Sequence, residues 1–399
     1  MSKVLVVCPF VPHPPSHGGS LRTRTMLHAL ARDHAVEVAA AAHGDADLAN
    51  LHALAHELGV AVHPLPARAG GGGAARKLAH WLRGESELLR RRWQPAAFAR
   101  VRELVATGGC DLVVADSSFV LPLVAAAGAP RTLLSLHNLE HDLLGRADGV
   151  ARSWSERLTR RVEGARVRAA EAAAIARATR TAVCSELDAA GARALAPAAA
   201  ARVAVVPNTI DVGRLSPQPA PAGGPPRLLF VGGLDYPPNR DAATELVERH
   251  LPALRATFPG LVVRLVGRDP AGVAARWRGV PGVECLGPVV DLLPLYRDSH
   301  AAYLPIRSGG GTRLKILEAW ALGLPVLSTA VGCEGLDAVD GEVLRRFETV
   351  EQGVAALRSV LDGQGPELAR RARAFVVARH AHAIADARWR ELAVAALSG

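Results

Sequence analysis

The sequence predicts an α/β protein built from two doubly wound domains that face one another across a cleft. Three observations predict it. The chain opens on a continuous apolar run, Lys3 to Cys8, of the kind that forms a parallel strand covered on both faces. Apolar runs then alternate with helix-sized intervals rich in Ala and Arg as far as Val206. The same alternation restarts at Arg227, after a stretch dense in proline and glycine.

In the first half, strand-like runs recur at Ala35 to Ala41, Asp111 to Ala115, Arg131 to Leu136, Thr181 to Cys184 and Val203 to Val206. The loop FVPHPPSHGGSLRTR after the first strand leads into a helical pattern from Ser20 to about Arg32. In the second half the runs are RLLFVGGL, LVVRLVGRD, VECLG, AAYLPI and PVLST, each one helix-sized interval from the next. These patterns predict an N-terminal domain over 1–206, a linker over 207–226 and a C-terminal domain over 227–380. A last helical stretch, 381–399, packs back across the first domain. Ligands of open α/β sheets bind beyond the carboxyl ends of the strands. The expected cleft therefore gathers the loop with Gly18 and Gly19, the loop with His137, Asn138, Glu140 and His141, and the glycine turn at Gly309 to Gly311.

Composition narrows the function. The chain has 399 residues, 49% hydrophobic and 21% charged, enough for two separate cores. No apolar run reaches the roughly 18 to 20 residues that span a bilayer. The start MSKVLVVCPF passes directly into a strand pattern, so a cytoplasmic protein is expected, or one working at the inner face of the membrane. Cys8, Cys110, Cys184, Cys285 and Cys333 are scattered and read as buried thiols, neither disulfides nor metal ligands. A net charge of +9 suits an anionic ligand, an anionic membrane surface or nucleic acid. Basic residues crowd Arg76 to Arg102, with Trp81 and Trp93, and Arg146 to Arg180. These stretches read as solvated helical faces, with peripheral membrane contact as the alternative. An aromatic content of 4% and the lack of a nucleic-acid module argue against nucleic acid.

The most informative segment is LPIRSGGGTRLKILEAWALGLPVLSTAVG, Leu304 to Gly332, which reads as strand, glycine turn, helix and strand. Gly309, Gly310 and Gly311 let backbone approach a ligand, and Thr312 is placed to cap a helix whose amides and dipole favour an anion. Arg313 and Lys315 put two cations in a first turn where helix electrostatics favour acids, and a bound diphosphate accounts for them. Lys315 is one of only three lysines, with Lys3 and Lys77, among 47 basic residues. A compact ammonium at this place suggests a point-charge requirement. A surface i, i+3 pair with Glu318 is the competing reading. Asp45 and Asp47 lie in a loop away from these motifs, and no metal is assigned to them.

The residues at Gly18-Gly19, LHNLEH (136–141), VPNTID (206–211), FVGGLDYPPN (230–239) and GGGTRLKILEAWALGLPVLST resemble the retaining, nucleotide-sugar-dependent glycosyltransferases of family 4, the group 1 type with the GT-B fold of two Rossmann-like domains. The resemblance covers nearly the whole chain. It implies transfer of a hexose-type sugar from a nucleoside-diphosphate donor to an acceptor hydroxyl, without metal or cofactor. Glu318 matches the second acid of the family's Glu-seven-residues-Glu motif and would hold the donor ribose. Lys315 and Arg313, with backbone amides near Thr312 and Leu314, would neutralise the departing diphosphate, aided by Gly310 and Gly311. Gly18 and Gly19 would close over the same phosphates, His137 would orient the donor sugar, and Arg268 would meet the base. Asn138, Glu140 and His141 fall on the acceptor side, where a glycan, a lipid-linked carrier or a small molecule is expected.

Three positions depart from the family pattern. The first motif Glu falls at Gly310, and the family's Arg and Lys after the first strand of the second domain fall at Gly233 and Pro238. Arg313 is expected to take over part of the missing charge. Two other readings follow from these losses: a nucleotide-sugar-binding or membrane-adaptor protein with little catalysis, and a nucleotide-sugar epimerase of the same fold. Taken alone, His137 also reads as a strand-end histidine, and Gly18-Gly19 as a plain turn before a helix.

Overall fold

Each apolar run that punctuates the sequence pairs in parallel with others of its own half. The computed structural model describes residues 1–15, 17–68, 79–146, 154–219, 221, 223–311 and 313–399. It divides into two units, Met1–Asn208 with Ala383–Gly399, and Thr209–His382.

The first unit holds a seven-stranded parallel sheet in the order β3-β2-β1-β4-β5-β6-β7. Its strands are β1 (Lys3–Cys8), β2 (Ala35–Ala42), β3 (Ala61–Pro66), β4 (Leu112–Asp116), β5 (Thr132–Ser135), β6 (Arg180–Val183) and β7 (Val203–Val205). Strand β3, AVHPLP, lacks an apolar period and carries two prolines, which are tolerated because it is an edge strand. Among the helices are α1 (Gly18–Ala31), α2 (Asp45–Leu58), α3 (Pro95–Thr107), α4 (Leu121–Ala127), α5 (Glu140–Arg146), α6 (Trp154–Arg177) and α7 (Glu186–Leu195). Gly18 and Gly19, expected in a loop, form the first turn of α1. His17 caps that helix by accepting from Ser20 N at 3.2 Å, while Ser20 Oγ accepts from His17 N at 3.1 Å. Asp45 and Asp47 likewise sit in the first turn of α2, where carboxylates favour the helix dipole.

The C-terminal helix, His382–Ser398, buries Trp389, Ala385, Ala393 and Ala396 against Val4, Val6 and Leu27 of this unit. Arg22 lies 5.0 Å over the Trp389 ring and donates to Val206 O at 2.6 Å and Asn208 Oδ1 at 3.1 Å. The helix is thus core to the first unit.

The second unit holds a six-stranded parallel sheet, β10-β9-β8-β11-β12-β13, formed by β8 (Arg227–Val231), β9 (Val262–Val266), β10 (Val283–Gly287), β11 (Ala301–Leu304), β12 (Val326–Ser328) and β13 (Arg345–Arg346). Phe230, Tyr303, Trp320 and Phe347 are its largest fully buried aromatics. The helices that matter below are α8 (Pro237–Glu245) and α9 (Leu314–Ala321). Strand order reverses between β1 and β4 in one sheet and between β8 and β11 in the other. At such switch points the flanking connections leave to opposite faces and open a crevice.

Four of the five cysteines are buried as expected, but Cys285 is exposed on edge strand β10. Trp93 also departs from expectation. It is 4% exposed and donates to Phe119 O at 2.8 Å, whereas Trp81 is exposed and lies beneath Arg166. The aromatic-basic face of that stretch is therefore smaller than the sequence suggests. Lys77 and Arg76 lie outside the described residues. No helix among the described residues is long and apolar enough to cross a membrane.

Candidate active site

In the first unit, the switch point puts the loop after β1 beside the end of β4. Strand β4 runs one residue further than its apolar pattern, so its last residue is Asp116, fully buried. Asp116 Oδ1 meets His137 Nε2 at 2.7 Å, and Asp116 Oδ2 accepts from Thr23 Oγ1 of α1 at 2.5 Å. Burial pushes this carboxyl up, but the His137 charge and hydrogen bonding from His137, Thr23 and Ser135 outweigh it and hold the group below its usual range. Phe10 packs edge-on to His17 at 4.8 Å and lies 6.2 Å from the His137 ring. A Cβ on Gly19 would stand 3.1 Å from His137 Nδ1, which places the α1 amino end directly against the histidine.

A second carboxylate–histidine pair lies beside the first. Glu171 of α6 is fully buried; its Oε2 meets His141 Nδ1 at 2.7 Å, and its Oε1 accepts from Ser118 Oγ at 2.6 Å and Glu140 N at 2.9 Å. Ser117 joins the two pairs. Its φ of 87° is rare for a residue with a side chain, and it turns the chain so that Asp116 serves His137 while Ser118 serves Glu171. The Glu171 bond holds His141 above its ordinary range. Burial and the neighbouring Glu171 charge push Glu140 up to about 7. Asn138 Nδ2 reaches Glu140 Oε1 at 3.5 Å.

In the second unit, the switch point brings together the ends of β8 and β11. Gly309 and Gly311 have φ of 108° and 74°, conformations that a residue with Cβ resists, so the turn itself requires glycine at these two positions. Thr312 lies outside the described residues, and the residue at the N-cap of α9 is Arg313, without a side-chain cap bond. Arg313 is 9% exposed and donates to Gly310 O, so it braces the turn instead of reaching outward. Lys315 Nζ donates to Asn239 Oδ1 at 2.8 Å and lies 4.7 Å over the Phe230 ring. Desolvation, helped by Arg313, pushes its ammonium down to about 7. The surface pair with Glu318 is thus not its setting. Glu318 instead accepts from Tyr296 OH at 3.2 Å, and burial raises its carboxyl. Leu314 is the first residue of α9, and Arg268, beyond β9, is exposed and paired with Asp235 at 3.1 Å. Among the described residues, no group of three or more His, Cys, Asp or Glu side chains is placed to hold a metal ion.

Residues 16–214 match the family Glycosyltransferase Family 4, and residues 225–363 match Glycosyl transferases group 1. The chain belongs to the group 1, family 4 glycosyltransferases. No curated protein matches it in sequence. Among solved structures, HepE from Anabaena, crystallised with UDP and glucose, shares 15% identity over 99% of this chain and 100% of its own, at a TM-score of 0.69. Sucrose-phosphate synthase from Thermosynechococcus elongatus shares 18% over 99% and 98%, at 0.72. TarM of S. aureus shares 8% over 98% of each chain, at 0.69. These likenesses show the fold, GT-B.

Within this family 4 glycosyltransferase, the three departures acquire a physical setting. Gly233 O accepts from Asn239 Nδ2 at 3.0 Å, and Pro238 packs over the turn at Gly309. Asp116, Thr23, Glu171 and Tyr296 were not among the expected site residues. Asp116 carries a visible signal, since an acid that ends an apolar strand stands on the carboxyl edge where α/β ligands bind. Glu171 carries none, being one acid in a helix crowded with Arg and Ala.

Proposed function

We propose that the enzyme transfers a hexose-type sugar from a nucleoside-diphosphate sugar to an acceptor hydroxyl, with retention of configuration and without a metal. The observation that carries this reading is Lys315, a desolvated ammonium beside a glycine turn at the switch point of the second unit. A cation in that place stabilises the charge that grows on a departing diphosphate. Gly310, Gly311, Leu314 and the end of α9 add backbone donors, Arg313 adds its charge from within the turn, and Glu318 accepts from the ribose. Arg268 stands where the base would lie. UDP is the first nucleotide to consider, because HepE and TarM have been crystallised with it.

In the first unit, His137 orients the sugar, with Gly18 and Gly19 at the phosphates and Asn138, Glu140 and His141 on the acceptor side. As the bond from C1 to the diphosphate breaks, the acceptor oxygen attacks from the same face and its proton passes to the leaving oxygen. That route needs no covalent enzyme intermediate. The exposed Trp81 and its arginine neighbours support peripheral contact with an anionic membrane surface, suiting a lipid-linked acceptor on the cytoplasmic side in glycan or glycolipid synthesis. Glycosylated small molecules are a further acceptor class.

Product stereochemistry tests the proposal. Incubated with a UDP-hexose and a hydroxyl acceptor, the enzyme is expected to give a product whose anomeric proton coupling in NMR matches that of the donor. An inverted product would overturn retention, and an epimerised nucleotide sugar formed without acceptor would replace transfer by epimerisation.

A further inference from the structure

Three elements of the second unit converge on one ammonium. Strand β8 supplies the Phe230 ring beneath Lys315 Nζ and, one residue past its end, Gly232 beside it; α9 supplies the lysine; α8 supplies Asn239. A Cβ at Gly232 would stand 2.8 Å from Lys315 Nζ and equally close to Asn239 Cγ and Nδ2, so a side chain at that position would displace the pair from this arrangement. A lysine stem has four rotatable bonds, and a single charge at its tip needs something to fix it.

Asn239 is built to do so. Its Nδ2 donates to Gly233 O at 3.0 Å, and its backbone N donates to Tyr236 O at 3.0 Å. With the amide nitrogen committed to a carbonyl, Oδ1 must face the ammonium, and reversing the amide would break the bonds to Gly233 O and from Lys315 Nζ. An ammonium has three N–H donors, and one amide oxygen uses one of them. We infer that Asn239 is a positioning residue that sets Lys315 toward the donor diphosphate, doing through one shared lysine what the missing cations at Gly233 and Pro238 do elsewhere in the family. The inference rests on the proposed donor role of the second unit. Besides Asn239, the charged groups acting on Lys315 are Arg313, which opposes its charge, and Glu318, which favours it.

The test is a double-mutant cycle read by calorimetric titration of the intact enzyme with UDP, with uridine as the phosphate-free control. Asn239→Ala is expected to weaken UDP binding by roughly tenfold or more, the scale of a hydrogen bond to a charged group, and to leave uridine unchanged. Lys315→Ala and the double variant should bind UDP equally weakly, because removing the lysine leaves Asn239 nothing to position. The pH above which UDP affinity falls should move down in Asn239→Ala and up in Asn239→Asp, where a carboxylate favours the ammonium; a purely structural role moves neither. Asn239→Ser replaces the alanine variant if circular dichroism shows that the latter does not fold. Losses that multiply in the double variant, or wild-type affinity in Asn239→Ala, would overturn the inference. Failure of the wild type to bind UDP, GDP, ADP or TDP would remove the donor reading, and this inference with it.

Discussion

Lys315→Ala is expected to lower the rate of glycosyl transfer by roughly 100- to 1,000-fold, the scale of losing one preorganised group at the developing charge. The folded protein should not suffer. Desolvation already pushes this ammonium from 10.5 down to about 7, so between those values the unfolded chain binds more protons at this residue and the lysine detracts from stability. The unfolding midpoint of the variant at pH 8 should equal or exceed that of the wild type while activity collapses. The sign of the pH dependence follows from the same shift. Below about pH 7 the free enzyme holds the ammonium charged, and above it the diphosphate must bring a proton with it. Donor affinity in the wild type should therefore decline as the pH rises through 7 to 9, and Lys315→Ala should lose that decline. Lys315→Arg should not restore activity, because a planar guanidinium does not fit the space left by Gly232, Asn239 and Phe230.

Asp116→Ala is expected to cost about 3 kcal/mol of stability, because it leaves His137 Nε2 without its carboxylate partner and Thr23 Oγ1 with Gly19 O alone. Urea unfolding would show this as a lower midpoint at unchanged slope. Transfer should fall by roughly 100-fold as well, the scale of a reacting group displaced by about an ångström. Asp116→Asn should retain more stability, since its amide oxygen satisfies one of the two donors. The contribution of Asp116 is present above 3.8 and is lost as the pH falls through its depressed folded value, so the stability gap between wild type and Asp116→Asn should narrow in acid.

Much of the architecture was legible because parallel strands covered on both faces must be apolar throughout. Runs such as Lys3–Cys8 and Val262–Val266 have few other ways to be buried. Edge strand β3 and the two-residue β13 escape that rule, having little apolar surface to bury. The glycine turn and Lys315 could be read because Gly, Lys and a short amphipathic helix sit within a few residues of one another. Their partners could not. Asn239 lies 76 residues from Lys315, Glu171 lies 30 from His141, and Asp116 lies 21 from His137. Only the sheet topology makes neighbours of these residues. Arg313 shows the opposite limit. Its type and place suggested a ligand cation, but nothing in the local sequence shows that its guanidinium also braces Gly310 O.

The most direct test of a nucleoside-diphosphate site in the second unit is protection from thermal unfolding across UDP, GDP, ADP and TDP sugars. Ligand at a hundred times its Kd adds roughly 2.7 kcal/mol to stability. One nucleotide should raise the midpoint of the wild type and fail to do so for Glu318→Ala. Protection by none of them, or protection that survives Glu318→Ala unchanged, would contradict the donor site described above.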